Sequence, residues 1–275
     1  MIRLSVKTIS LGLAAVAAFA FIGVDHASAD LINQSPIDII TNDVVRQLHF
    51  KTIDFNYSND TTLTVKNVNS PNVEGTIRGI PSAGSTLSYD GYVYNLLQFH
   101  FHEEAEHTIN GYRAPMEIHF VNQQAGSSAA DGLLVVGRFI EVIAQDNPLL
   151  IDFFSGISSI PNPGDQFVIN NFDVTALLPP GQTQYRYTGS LTTDPYSQPV
   201  DWNVFVGIPL YLSQNQIDQF AAAFPYGNAR EVQPLDGRTV YTAAVPEIEP
   251  NSLGSVLALV LGSLGLLERR RLKAA

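Results

Sequence analysis

Residues 95–122 read NLLQFHFHEEAEHTINGYRAPMEIHFVN and hold four of the chain's six histidines. On a β-strand successive side chains point to opposite faces. Gln98, His100 and His102 therefore share one face, with Phe99 and Phe101 on the other. A second strand through PMEIHFV places Glu117 and His119 on one face and Met116, Ile118 and Phe120 on the other. Antiparallel pairing of the two strands brings His119 beside His100 and His102. The chain has no cysteine, so any metal must be held by His, Asp or Glu. Three neutral imidazoles and one water form a catalytic zinc geometry with an open position. A His-x-His pair alone also fits an ordinary hydrogen-bonded strand. Gln98 and Glu117 weigh toward the metal, because each lies two residues from a histidine on the same face. There it can accept the second ring N–H and fix the tautomer.

Several elements must position these groups. Short runs rich in Val, Ile, Phe, Tyr and Thr, such as TLTVKNV, GLLVVGRFI and VDWNVFVGI, are separated by Gly, Pro, Asn and Asp. These are strand and turn signals. Helical periodicity is confined to NPLLIDFFSGI and to SQNQIDQFAAAF, where Ser213 is a candidate N-cap. The class is mainly β (α+β), with a few short helices. Hydrophobic residues make up 45% and charged residues 15%, a globular composition. The net charge of −11 argues against a nucleic-acid partner, which needs clustered Lys and Arg. No low-complexity linker or repeat interrupts residues 30–243, which read as one domain.

The ends read differently. Residues 1–29 begin with Arg3 and Lys7, run apolar, and finish on Ala27, Ser28 and Ala29. A basic start, a short apolar core and a small-x-small site predict a secretory signal, with an N-terminal membrane anchor as the alternative. Residues 244–275 contain Pro246, Glu247 and Pro250, an apolar run of 15 residues at 253–267, and Arg269, Arg270 and Arg271. That run is shorter than the ~20 residues of a bilayer span. The tail resembles a PEP-CTERM sorting signal with two extra residues inside its motif, and the alternative is a plain C-terminal anchor. The resemblance implies transient membrane contact, processing by an exosortase-type transpeptidase, and export to the periplasm, surface or matrix of a Gram-negative bacterium or cyanobacterium.

The segment QFHFH…EHT…PMEIH is similar to the core signature of α-class carbonic anhydrases. NQSPIDI at 33–39, GSLTTDP at 189–195 followed by VDWNVF, and NAREVQPLDGR at 228–238 match three further motifs of that family in order. The resemblance implies a single domain built on a large, twisted, mostly antiparallel sheet with a few short surface helices. It implies zinc-dependent, reversible hydration of CO2 to bicarbonate and a proton by zinc-hydroxide attack. His100, His102 and His119 would be the zinc ligands. Thr192 would orient the hydroxide and pass its own proton toward Glu106, and Thr193 would assist bicarbonate contacts. Val121, Val135, Leu191 and Trp202 would form the CO2 pocket. Gln98 and Glu117 would support the ligands, Asn228 would help orient His102, and His107 would be structural beside Glu106.

Two departures bear on function. Only Asp30 to Ile32 separate the expected cleavage point from the first motif, so the N-terminal flap of the family is expected to be missing. The family's proton-shuttling histidine is also absent: no His occurs between Phe50 and Phe99, and Asn69 or Ser70 takes its place by alignment. The alternative to an enzyme is a non-catalytic carbonic-anhydrase-like surface or matrix binding module. The complete set of three histidines, with Thr192 and Glu106, separates the two, because inactive relatives commonly lose a ligand.

Overall fold

The alternation in QFHFH and MEIHFV divides one long sheet between two unlike faces. Phe99, Phe101, Ile118 and Phe120 enter one core and are fully buried, while His100, His102 and His119 face the other way. The computed structural model describes residues 32–68, 75–127, 132–180 and 183–244. The segments 1–29 and 245–275, and the residues Asn69 and Ser70, lie outside the described residues. No helix of the described residues is long and apolar enough to cross a membrane.

In chain order the strands are β1 (Asp38–Ile39), β2 (Val45–Gln47), β3 (Asp54–Asn56), β4 (Thr61–Asn67), β5 (Ile77–Pro81), β6 (Thr86–Tyr89) and β7 (Tyr92–Glu103). They continue as β8 (Thr108–Ile109), β9 (Met116–Gln124), β10 (Leu133–Ile143), β11 (Gln166–Phe172), β12 (Thr183–Gly189), β13 (Val200–Ser213) and β14 (Tyr241–Ala243). The main sheet runs β11-β4-β5-β7-β9-β10-β13-β12-β14-β2, with β6 also on β7 and β3 on β6. Pairing is antiparallel except at β10–β13 and β14–β2. β1 and β8 form a separate parallel pair.

Two short helices cover the phenylalanine face. α1 (Ile151–Gly156) follows a 3-10 turn capped by Asn147, whose side chain accepts from the Leu149 N–H. α2 (Gln214–Ala221) begins at Ser213, which forms a capping box with Gln216. The cap satisfies amide groups that a helix start leaves without partners. Phe153, Phe154 and Phe220 from these helices pack on Phe101 with ring centroids 5.2, 5.1 and 6.3 Å away. A buried aromatic side chain of this kind contributes roughly 1.5–3 kcal/mol by leaving water. The helices thus hold the back of β7 rigid, and its front carries the histidines. A second, smaller core lies on that front, with Ile37, Val121, Val135, Tyr187, Trp202 and Val204 among its members.

Candidate active site

Register across the sheet assembles the site. Arg78 on β5 lies opposite His100 on β7, His100 opposite His119 on β9, and His119 opposite Gly137 on β10. Residues directly opposite on paired strands share a face. The adjacent row is Gln98, Val121, Val135, Trp202 and Tyr187, running from β7 to β12. One row is therefore imidazole-rich, and its neighbour presents an apolar surface.

The imidazole centroids of His100, His102 and His119 lie 4.9, 5.4 and 4.7 Å apart, and each ring is buried. One ligating nitrogen from each falls within 4.8 Å of the others. The His100 Nδ1–H donates to Gln98 Oε1 at 2.9 Å. The His102 Nδ1–H donates to the Asn228 backbone carbonyl at 2.7 Å. Glu117 Oε1 stands 3.0 Å from His119 Nε2. Burial, reinforced by the neighbouring imidazoles, holds His100 well below the usual histidine range. Burial, with the His119 ring beside it, pushes His102 down to about 3. Burial also lowers His119, against the pull of Glu117. All three are neutral bases at physiological pH, the form that ligates a metal. His102 Nε2 is buried with no hydrogen-bond partner. A buried polar atom without a partner is costly, and a cation at the centre of the triad removes that cost. The donor set fits zinc.

The supporting contacts extend well beyond the three rings. Asn228 reaches His102 through its backbone carbonyl, while its side chain accepts from Glu103 N at 2.9 Å and donates to Phe101 O at 2.9 Å. The side chain thus splints the histidine-bearing strand. The hydrogen bonds of His107, the neighbour of Glu106, go to Glu117 and Tyr187. Its backbone N and its Nδ1–H both donate to the Glu117 carboxylate at 2.9 Å, and its Nε2 is 2.7 Å from the Tyr187 hydroxyl. Burial acts to raise the Glu117 pKa, but the His107 and His119 imidazoles outweigh it and hold the carboxylate well below its usual range. The Tyr187 hydroxyl donates to Ser35 Oγ at 2.9 Å, which ties the early NQSPIDI motif to the histidine cluster. Ser35 Oγ also accepts from Ser190 N at 3.1 Å.

Leu191, Thr192 and Thr193 follow Ser190 on a loop held from both sides. The Trp202 Nε1–H donates to Ser190 O, Leu191 N donates to Ser197 O, and Tyr196 N donates to Thr193 O, at 2.8, 2.9 and 2.8 Å. Glu106 is buried at the rear of the cluster, 3.4 Å from His102 Nδ1, and its Oε1 accepts from Arg230 N at 2.9 Å. A cavity of about 350 Å³ opens in front. Val121, Leu133, Val135, Leu191 and Trp202 line one side of it, with His100 and His119 at its floor. Gln98, Thr192, Thr193, Thr76 and Arg78 supply its polar atoms. Every proposed substrate-contacting residue lines this space, while His102, Glu106, His107, Glu117 and Asn228 lie behind it.

Sequence reasoning missed Thr76, Arg78 and Tyr187. The period-2 pattern of T-I-R-G-I was the available signal for the first two, obscured by Gly79 and Pro81 at a strand end.

Residues 24–244 match the eukaryotic-type carbonic anhydrase family. A carbonic anhydrase of Klebsiella pneumoniae is 33% identical over 211 residues, 76% of this chain and 79% of that protein. The α-carbonic anhydrase of Thermovibrio ammonificans, solved in complex with the inhibitor sulfanilamide, superposes with a TM-score of 0.65 at 34% identity, covering 76% of this chain and 86% of that one. The Photobacterium profundum α-carbonic anhydrase superposes with a TM-score of 0.66 at 30% identity, covering 78% and 90%. The chain belongs to the carbonic anhydrase family, and it is an enzyme of that class.

Proposed function

We propose that the protein catalyses the reversible hydration of CO2 to bicarbonate and a proton, with zinc held by His100, His102 and His119. The observation that carries this is a cluster of three neutral, buried imidazoles, two of them at the floor of a cavity whose adjacent cross-strand row is apolar. When bound there, zinc supplies Lewis acidity that brings the pKa of water down to about 7. Val121, Val135, Leu191 and Trp202 receive the nonpolar CO2 and exclude competing water. The Thr192 hydroxyl accepts a hydrogen bond from the attacking oxygen and passes its own proton toward the Glu106 carboxylate, so that a lone pair of that oxygen faces the carbon. Arg230 N fixes that carboxylate by occupying Oε1. Thr193 contacts bicarbonate as it forms. Gln98, the Asn228 carbonyl and Glu117 hold the three rings in their tautomers. The full ligand set leaves nothing to favour a non-catalytic binding module.

Zinc analysis of the purified protein, paired with stopped-flow CO2 hydration, tests the proposal. One zinc per chain and hydration that stops on chelation are expected. A protein that neither contains nor takes up zinc sinks it.

The termini carry the remainder of the proposal. Ala27-Ser28-Ala29 directs export, and the Pro-Glu, apolar and Arg-rich tail directs exosortase-type processing at the membrane, leaving the enzyme at the surface or in a matrix.

A further inference from the structure

Arg78 has no role in the reaction as described, yet it stands in the same cross-strand row as the histidines. It lies directly opposite His100 and lines the cavity together with Ile80 of β5 and Thr76, which precedes that strand. It is the one cation among the described residues that line the cavity. Among the described residues its side chain forms neither a hydrogen bond nor an ion pair, and its Nε is buried without a partner. Arg138 also has a buried Nε without a partner, but its terminal nitrogens, like those of Arg230, are engaged. Arg138 donates to the carbonyls of Leu177, Leu178, Ile208 and Pro209, and Arg230 donates to Gln34 and Ser35. Burial lowers the Arg78 pKa from its usual value, and no carboxylate offsets it. A guanidinium that has lost part of its water and gained no anion is held in the cavity wall at a cost, and a ligand of opposite charge reduces it.

We propose that Arg78 is an anion-binding residue of the active-site cavity, which engages bicarbonate and other small planar oxyanions from the β5 side. The inference rests on the CO2 hydration reading and deepens it. CO2 is neutral and is received by the apolar row, whereas its hydrated product carries one negative charge. A guanidinium presents a planar fork that matches two oxygens of a carboxylate-like anion, which an ammonium does not. Arg78 therefore discriminates by charge on one side of the cavity while Val121, Val135 and Trp202 accept the uncharged molecule on the other. It also draws anions toward the site against the overall charge of −11.

Nitrate, a planar monoanion, is the probe. Its binding to the full chain is measured by calorimetry at fixed ionic strength for the wild type, Arg78→Gln and Arg78→Lys, with zinc content determined for each. Arg78→Gln is expected to weaken nitrate binding by about tenfold, since one partly solvated charge pair is lost. Arg78→Lys keeps the charge but not the fork and is expected to fall between the two. It also serves as the measurable variant if the glutamine form does not fold. Equal nitrate affinity in the wild type and in the variants that fold, at equal zinc content, overturns the proposal. The same titration on zinc-free protein separates this from the reaction itself. An Arg78-dependent nitrate affinity there supports the residue even if CO2 hydration is absent, and Arg78-independent affinity overturns it even if hydration is present.

Discussion

Thr192 is 4% exposed and sits on a loop gripped by Trp202 and Ser197, so its hydroxyl has a defined place at the cavity. It offers the metal no bond. Thr192→Ala is therefore expected to keep zinc and to lose CO2 hydration on the order of 100-fold, the value of one preorganised hydrogen bond to developing charge. Stopped-flow rates with matched zinc content check this, and unchanged hydration would remove Thr192 from the mechanism. The histidines behave in the opposite way. His100→Ala, His102→Ala or His119→Ala each removes one of three ligands from a buried centre, and each is expected to abolish tight zinc binding. Competition against a chromogenic chelator measures it. A variant that still held zinc as tightly as the wild type would show that its ring is not a ligand.

At the scale of elements, β10 controls a group it does not itself contain. Gly137 lies opposite His119, and a Cβ there would come within 2.7 Å of Glu117 Oε1. Glu117 cannot retreat easily, because the backbone N and the Nδ1–H of His107 both donate to its carboxylate at 2.9 Å. Gly137→Ala is expected to tilt Glu117 away from the His119 ring and to weaken zinc by about 10–100-fold, the usual cost of losing a ligand's outer partner. Chelator competition again reads the effect, alongside circular dichroism to show that the sheet survives. Wild-type zinc affinity in a folded Gly137→Ala protein would mean that Glu117 does not hold His119. The register shift between Leu96 and Gln98 is a second device of this kind. It lets the consecutive residues Leu97 and Gln98 both line the cavity, which strict alternation forbids.

On the scale of the whole molecule, the proton released in the proposed hydration must leave a cavity whose described lining residues offer no relay. Among the described residues that line it, the only histidines are the ligand candidates His100 and His119, and His49 is exposed on another part of the chain. Thr76, Gln98 and Arg78 cannot exchange a proton near neutral pH. Turnover is expected to be limited by proton transfer and to rise with added imidazole at fixed ionic strength. A high rate that stays flat down to very low buffer would point to an internal relay. The ends of the chain make a separate prediction. Mass spectrometry of native protein is expected to find a terminus near Asp30 and a cut between Pro246 and Pro250. A native peptide extending through Ala275 would favour a plain membrane anchor.

Much of the site was legible in the sequence because a strand's two-residue period is a local consequence of backbone geometry. QFHFH and MEIHFV need no tertiary knowledge to sort ligands from core, and four ordered motifs carried the resemblance to carbonic anhydrases. The capping residue Ser213 was legible for the same reason, since a cap acts within four residues. What only the tertiary structure decided is which distant strands meet, and in what register. That choice placed Arg78 beside His100, set Gly137 against Glu117, turned the Asn228 carbonyl rather than its side chain toward His102, and sent His107 to Tyr187. It also made β10 and β13 parallel in an otherwise mostly antiparallel sheet. Register depends on the packing of both sheet faces at once and on bulges that shift it by a residue, so no single segment contains it.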